Sequence, residues 1–245
     1  MSVAVGDPRI VAAPASREAN GVRRWALALA IVHAALAATA FALLGASFGF
    51  PGILREPASV AIEAFRANEA TIRFGYYLFT LSAFLFVPIA VLARDAFGQG
   101  QRTLLTLAMF MGVLAGITQM LGFARWTILV PFIADLHSRE AAADGTALAL
   151  YDFANRYLGM TVGEHFGWLF QAPWTALLGV AALRLGLPRW LGWTGVLVGA
   201  GMLVSSFEPF GVGAEAVLAL LNAVATTGAP FWLIALFTVL SRRGR

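Results

Sequence analysis

The chain has 245 residues, of which 60% are hydrophobic and only 12% are charged, and its mean hydropathy is +0.78. A soluble domain carries roughly 25% charged residues, so the composition predicts an all-α bundle of transmembrane helices rather than a water-soluble fold. Cysteine and lysine are both absent, which excludes disulfides, thiolate metal sites, cysteine nucleophiles and lysine Schiff bases, and the net charge of +4 comes largely from arginines at the chain ends and in short loops.

The chain begins with a polar arm, residues 1–24, which we expect to be disordered and cytoplasmic. Apolar runs long enough to cross a bilayer as helices then recur along residues 25–241, and a basic cytoplasmic tail, residues 242–245, follows. The six predicted spans are residues 25–45, 72–93, 104–123, 163–183, 190–207 and 216–240.

Two connections carry further helical patterns. Before span two, Glu69 and Arg73 pair at a spacing of four residues, which favours a helical extension of that span beginning at a Ser59 cap. After span three the apolar character continues past Arg125 to Ala134, and we expect the helix to bend or lie along the interface there. An amphipathic helix is predicted at 146–157.

The arginines indicate the orientation. Eleven of the seventeen lie in the N-terminal arm, in the turns at 94–102 and 184–189, and in the C-terminal tail. Six spans place all of these on one side, so both termini should be cytoplasmic and the longer, acid-rich loops should face the periplasm of a bacterium. Membrane lipids are therefore expected partners, and a nucleic-acid partner is not expected.

Small residues mark close helix contacts. Gly112 and Gly116 in span three, and Gly192, Gly195 and Gly199 in span five, lie at spacings of three or four residues. Such faces let helix backbones approach one another, within the bundle or between two copies in an oligomer.

Span four is polar in its first half. Glu164, Trp168, Gln171 and Thr175 lie at i, i+4, i+7 and i+11 and share one helical face, with His165 beside it. A face of this kind avoids lipid, so we expect it to line an intramembrane pocket. The structural alternative for Glu164 is a capping box with Thr161, because carboxylates are stabilised in the first turn of a helix.

Other spans offer candidates for the same pocket. Arg125 is expected to neutralise Glu164, Glu208 or Asp135, or to bind an anionic ligand group; the alternative is an arginine that extends to lipid headgroups. Glu208, between aromatic residues, is a candidate acid or proton carrier.

Asn222 and Thr226 form a polar patch on span six and are further candidate ligand contacts. A metal site from Asp135, His137 and His165 would require loop ligands brought onto span four, so no metal and no other resident cofactor is predicted.

Parts of spans three to five resemble a known family. The pieces that carry the resemblance are Arg125 and Pro131, the run Gly163-Glu164-His165-Phe166-Gly167, Trp174, and the sequence LGLPRWLGWTGVLVGAG at 185–201. They are similar to a bacterial family of multi-pass membrane proteins catalogued as domain of unknown function 4386. The resemblance implies a bundle of six or seven spans and no established substrate.

These patterns predict a multi-pass protein of the bacterial inner membrane with an outward-facing polar pocket. The pocket would bind a small amphipathic or anionic ligand for transport or sensing. Arg125, Trp168, Gln171, Thr175, Asn222 and Thr226 would contact the ligand, and Glu164, His165 and Glu208 would be the protonatable groups. Two alternatives stay open: a membrane-embedded enzyme that uses those three groups for acid/base chemistry on a lipid or isoprenoid, and a non-catalytic subunit of a membrane complex.

Overall fold

The computed structural model of the protein describes residues 13–139, 145–210 and 215–243, and every regular element within these ranges is helical. Eight α-helices are present there. They are α1 (Ala13–Phe48), α2 (Ala58–Ala67), α3 (Glu69–Ala96), α4 (Arg102–Arg139), α5 (Thr146–Ala154), α6 (Gly167–Arg184), α7 (Arg189–Ser205) and α8 (Glu215–Arg242). A π-helical segment, Asn155–Phe166, joins α5 to α6 without a break.

Five helical stretches of the described ranges are long and apolar enough to cross a membrane. They are Ala19–Phe48, Glu69–Ala96, Arg102–Arg139, Thr146–Arg184 and Leu220–Arg242. The prediction of an all-α fold is thereby confirmed for the described residues, and these five stretches are candidate membrane spans. The fifth predicted span corresponds to α7, which has only 17 residues and does not belong to this set.

The helices around the loops differ from the sequence-based expectations. α1 already begins at Ala13, so the expected arm is helical from that residue onward, and residues 1–12 lie outside the described part of the chain. α2 is a separate helix that follows Pro57 without a side-chain cap, instead of an extension of span two that begins at a Ser59 cap. The exposed Glu69–Arg73 pair does form, at 3.1 Å.

Two helices are much longer than one bilayer crossing. α4 has 38 residues and is continuous through Pro131, which corresponds to about 57 Å at the usual rise per residue. The helix that contains span four starts at Thr146 rather than at Gly163. The expected capping box is therefore wrong, because Thr161 lies inside a helix and donates its hydroxyl to the Arg156 carbonyl oxygen at 3.0 Å.

The core is divided between the two ends of the bundle. At the end that carries α2 and α5, hereafter the α2 end, aromatic side chains such as Phe48, Tyr76 and Trp126 pack together, and Tyr76 stacks on Trp126 at 4.7 Å. At the opposite end, small alanines surround Trp174 and Trp232. The core at the α2 end is thus rich in aromatic side chains.

Glycines permit the closest helix contacts. A Cβ on Gly179 of α6 would lie 2.7 Å from the Gly192 carbonyl oxygen of α7, and one on Gly112 would lie 2.6 Å from Trp174. The predicted small-residue faces therefore pack inside the bundle. Association between copies of the chain stays a prediction and would need other surfaces.

Candidate functional site

The π-helical segment brings the polar half of span four against α4. A π-helix turn is wider than an α-helix turn, and such turns occur frequently at functional sites. A Cβ on Gly122 of α4 would lie only 2.6 Å from the Gly163 Cα atom, so the two backbones are nearly in contact. One turn earlier, Gly159 leaves room for the Arg125 guanidinium, which a Cβ would approach to 2.5 Å.

A narrow crevice lies at the α2 end, between this segment, the end of α7 and the start of α8. In this conformation it is too narrow to admit a water molecule. The residues that line it are Glu164, His165, Trp168, Ser205, Ser206, Glu208 and Asn222. Five of the nine predicted site residues are thus brought together: Glu164, His165, Trp168, Glu208 and Asn222.

The side chain of Arg55 bridges the two acids of the crevice. Its Nη2 atom lies 2.9 Å from Glu164 Oε2 and 3.3 Å from Glu208 Oε1. Partial burial alone would lower the pKa of Arg55, but the two carboxylates outweigh that effect and raise the pKa above its ordinary value. Arg55 therefore remains a cation at any pH at which the protein is handled.

The turn that carries Arg55, Gly52–Arg55, is anchored by residues that precede Arg55. Leu54 is buried in the aromatic core, and its carbonyl oxygen accepts a hydrogen bond from Asn155 Nδ2 at 3.0 Å. Phe50 packs on Phe79 at 5.7 Å. The backbone is thus anchored, whereas the Arg55 side chain is 40% exposed and has space to rotate into solvent.

His165 is held by the end of α7. Its Nδ1 atom lies 2.6 Å from the Ser206 carbonyl oxygen, and because a carbonyl only accepts, Nδ1 carries the proton. Phe210 meets the imidazole edge to face at 4.9 Å. The ring is therefore fixed in an aromatic setting at the wall of the crevice.

Arg125 belongs to an adjacent, more deeply buried group. Only 7% of it is exposed, and it donates from Nη1 to the Gly122 carbonyl oxygen at 2.5 Å and from Nη2 to Asn155 Oδ1 at 3.1 Å. It therefore does not extend to lipid headgroups. Its predicted acidic partners are engaged elsewhere, since Glu164 and Glu208 bind Arg55 and Asp135 binds Arg139 at 2.7 Å.

The deeper polar residues form contacts between and within helices. Gln171 Oε1 accepts a hydrogen bond from Gln119 Nε2 of α4 at 2.6 Å, and Thr175 donates to the Gln171 carbonyl oxygen at 2.9 Å. Thr226 donates to the Asn222 carbonyl oxygen at 2.7 Å. Gln171, Thr175, Thr226 and Arg125 lie outside the crevice lining.

Sequence reasoning missed Arg55 and Asn155. Arg55 carried a usable signal, because it is an arginine in the acid-rich loop that the predicted topology places away from the arginine-rich side. Asn155 carried none, since a single asparagine in a helical pattern does not reveal that both of its amide atoms are engaged. Among the described residues no group of three His, Asp or Glu side chains is placed to bind a metal ion.

The chain matches one known protein family over most of its length. A family model described as "Domain of unknown function (DUF4386)" matches residues 25–236. The chain belongs to this family. The match confirms the resemblance and extends it from spans three to five to nearly the whole bundle. No curated protein and no solved structure matches the chain, so the family supplies neither a substrate nor a reaction.

Proposed function

We propose that this family member is a six-span protein of the bacterial inner membrane whose crevice at the α2 end binds a small amphipathic ligand from the outer side, for transport or sensing. The observation that carries the proposal is the convergence of two carboxylates, an imidazole, an indole and an amide on one crevice, with the two carboxylates bridged by Arg55. Convergent polar groups at the end of a bundle are typical of binding sites.

The sixth span in this proposal is α7. Its 17 residues correspond to about 26 Å, a few ångströms less than the hydrocarbon core of a bilayer, and mismatch of this size is accommodated by local thinning. α7 also packs backbone to backbone on α6 through Gly179 and Gly192. A helix in such contact with a spanning helix is best accounted for as a span itself.

Orientation follows from the side on which the arginines lie. With six spans, both termini and the turns near Arg102 and Arg184 are cytoplasmic, and α2, Arg55 and the crevice face outward. Because the chain has no cysteine, single cysteines report topology without background. In cells, an impermeant maleimide should label Asn68→Cys and spare Gly100→Cys, whose side chain would enter open space; the reverse pattern would invert the topology.

Native mass spectrometry of the purified protein tests ligand binding. We expect a co-purifying amphiphile that is lost in Glu164→Gln and retained in Glu69→Gln, which removes the same charge from an exposed pair outside the crevice. If both variants fold and neither loses the amphiphile, the result would contradict a site at Glu164. The enzyme alternative has weaker support, because both carboxylates already bind Arg55.

A further inference from the structure

We infer that the ligand of this crevice carries a positive charge, and that Arg55 occupies the place of its cationic head when no ligand is bound. This inference rests on the proposed binding function and names the ligand class. The starting observation is that one guanidinium nitrogen lies within 3.3 Å of both Glu164 and Glu208, which belong to separate helical elements. An amine or a guanidinium placed between these carboxylates would make the same contacts.

The charges around the crevice favour a cation over an anion. Arg55, Arg125, Glu164 and Glu208 sum to zero while Arg55 lies across the crevice. When Arg55 rotates into solvent, Arg125 and the two carboxylates leave a net charge of −1, which one monovalent cation neutralises. Arg125 does not replace Arg55, because its donors are directed at the Gly122 carbonyl oxygen and Asn155.

The wall of the crevice also suits a cation. Trp168 and His165 belong to the lining, and the rings of Phe207 and Phe210 pack around the imidazole at 6.2 and 4.9 Å. Aromatic faces attract cations, most strongly where water is excluded, as in this narrow space. Phe207 and Phe210 are themselves exposed, so their rings also provide an apolar surface beside the crevice for an alkyl chain.

A ligand can displace Arg55 from the two carboxylates because only the Arg55 side chain has to move. The backbone of the Gly52–Arg55 turn is anchored by Leu54 and Asn155, but the Arg55 side chain is substantially exposed. Each of its two ion pairs resembles a surface pair, which typically contributes only about 0.2–1 kcal/mol. A ligand with two similar contacts and an apolar chain therefore competes effectively.

The inference predicts that removing a positive charge strengthens the binding of a cation. Octylammonium, octanoate and octanol are titrated against the full-length protein in nanodiscs of zwitterionic lipid. Arg55→Gln should bind octylammonium about 2- to 30-fold more tightly than wild type, the range that corresponds to the loss of two exposed ion pairs. Glu208→Gln should bind it more weakly, and Arg73→Gln, which breaks an exposed pair outside the crevice, should match wild type.

Arg55→Lys is a second variant that covers a folding defect in Arg55→Gln. Lysine keeps the charge, but its shorter side chain does not reach both carboxylates. The affinity of Arg55→Lys for the cation should therefore lie between those of wild type and Arg55→Gln. Unchanged or weaker binding of the cation in Arg55→Gln, with the thermal unfolding of wild type, would overturn the inference. Octanoate binding that is lost in Arg55→Gln would overturn it as well while retaining the proposed crevice site. If no variant binds any of the three probes, the proposed function fails too.

Discussion

The contact between Gly122 and Gly163 positions the π-helical segment, and Gly122→Ala tests how much depends on it. The new Cβ would lie 2.6 Å from the Gly163 Cα atom, about 0.8 Å closer than ordinary contact, and 3.2 Å from the Leu158 carbonyl oxygen. Both neighbours are backbone atoms, so no side-chain rotation relieves the overlap. The π-helical segment and α4 would have to move apart.

The expected loss of stability combines two opposing effects. Overpacking costs about 1–3 kcal/mol, and a site enclosed by backbone belongs near the upper end of that range. Replacing a helical glycine by alanine stabilises the helix by about 1 kcal/mol. The net loss is therefore about 2 kcal/mol, which lowers the melting temperature of a chain of this size by about 4–8 °C.

The assay is thermal unfolding in detergent, with two comparison variants. Gly228→Ala on α8 places its Cβ in open space and should melt at or above the wild-type temperature. The new Cβ atom of Gly163→Ala would lie 3.0 Å from the Gly122 Cα atom. The melting temperature of this variant should lie between those of the other two variants. If Gly122→Ala melts at as high a temperature as Gly228→Ala, the contact between Gly122 and Gly163 does not constrain the π-helical segment.

Three further substitutions test the buried polar groups, each followed by thermal unfolding. Asn155→Ala should destabilise the protein by about 1–3 kcal/mol, because Arg125 and the Leu54 carbonyl oxygen both lose a partner; a neutral result would exclude this bridge. Tyr151→Phe should be neutral or stabilising, since the buried hydroxyl has no hydrogen-bond partner among the described residues, and a clear loss would reveal one. Gln171→Leu leaves Gln119 unpaired and should cost about 1 kcal/mol without changing ligand affinity; weaker binding would place Gln171 in the site.

Much of the fold follows from the sequence because lipid imposes simple constraints. Apolar runs predicted the membrane helices, and small residues such as Gly112 and Gly192 predicted close packing that the structure contains. The ends of the helices were less predictable. The helix of span three was expected to continue past Arg125 but to bend or lie along the interface there, whereas α4 runs as one helix to Arg139 and Arg125 is buried beside Gly159.

The candidate site was predicted only in part. The period of the α-helix placed Glu164, Trp168, Gln171 and Thr175 on one face, but only the first two line the crevice, and Gln171 instead binds Gln119 of α4. The partner of Glu164 comes from a loop 109 residues away in the chain. Contacts of that kind depend on the tertiary fold, which helical periodicity does not determine.

Photolabelling measures directly where an amphiphile binds to the protein. An octyl ammonium probe with a photoreactive chain is crosslinked to the protein in nanodiscs, and the labelled peptides are identified by mass spectrometry. We expect label on Asn155–Phe166 and on residues 205–208, with less label in Glu164→Gln and Glu208→Gln. Label confined to the groove around Arg102 and Arg184 at the opposite end, or spread evenly over the lipid-facing helices, would contradict a binding site at the α2 end.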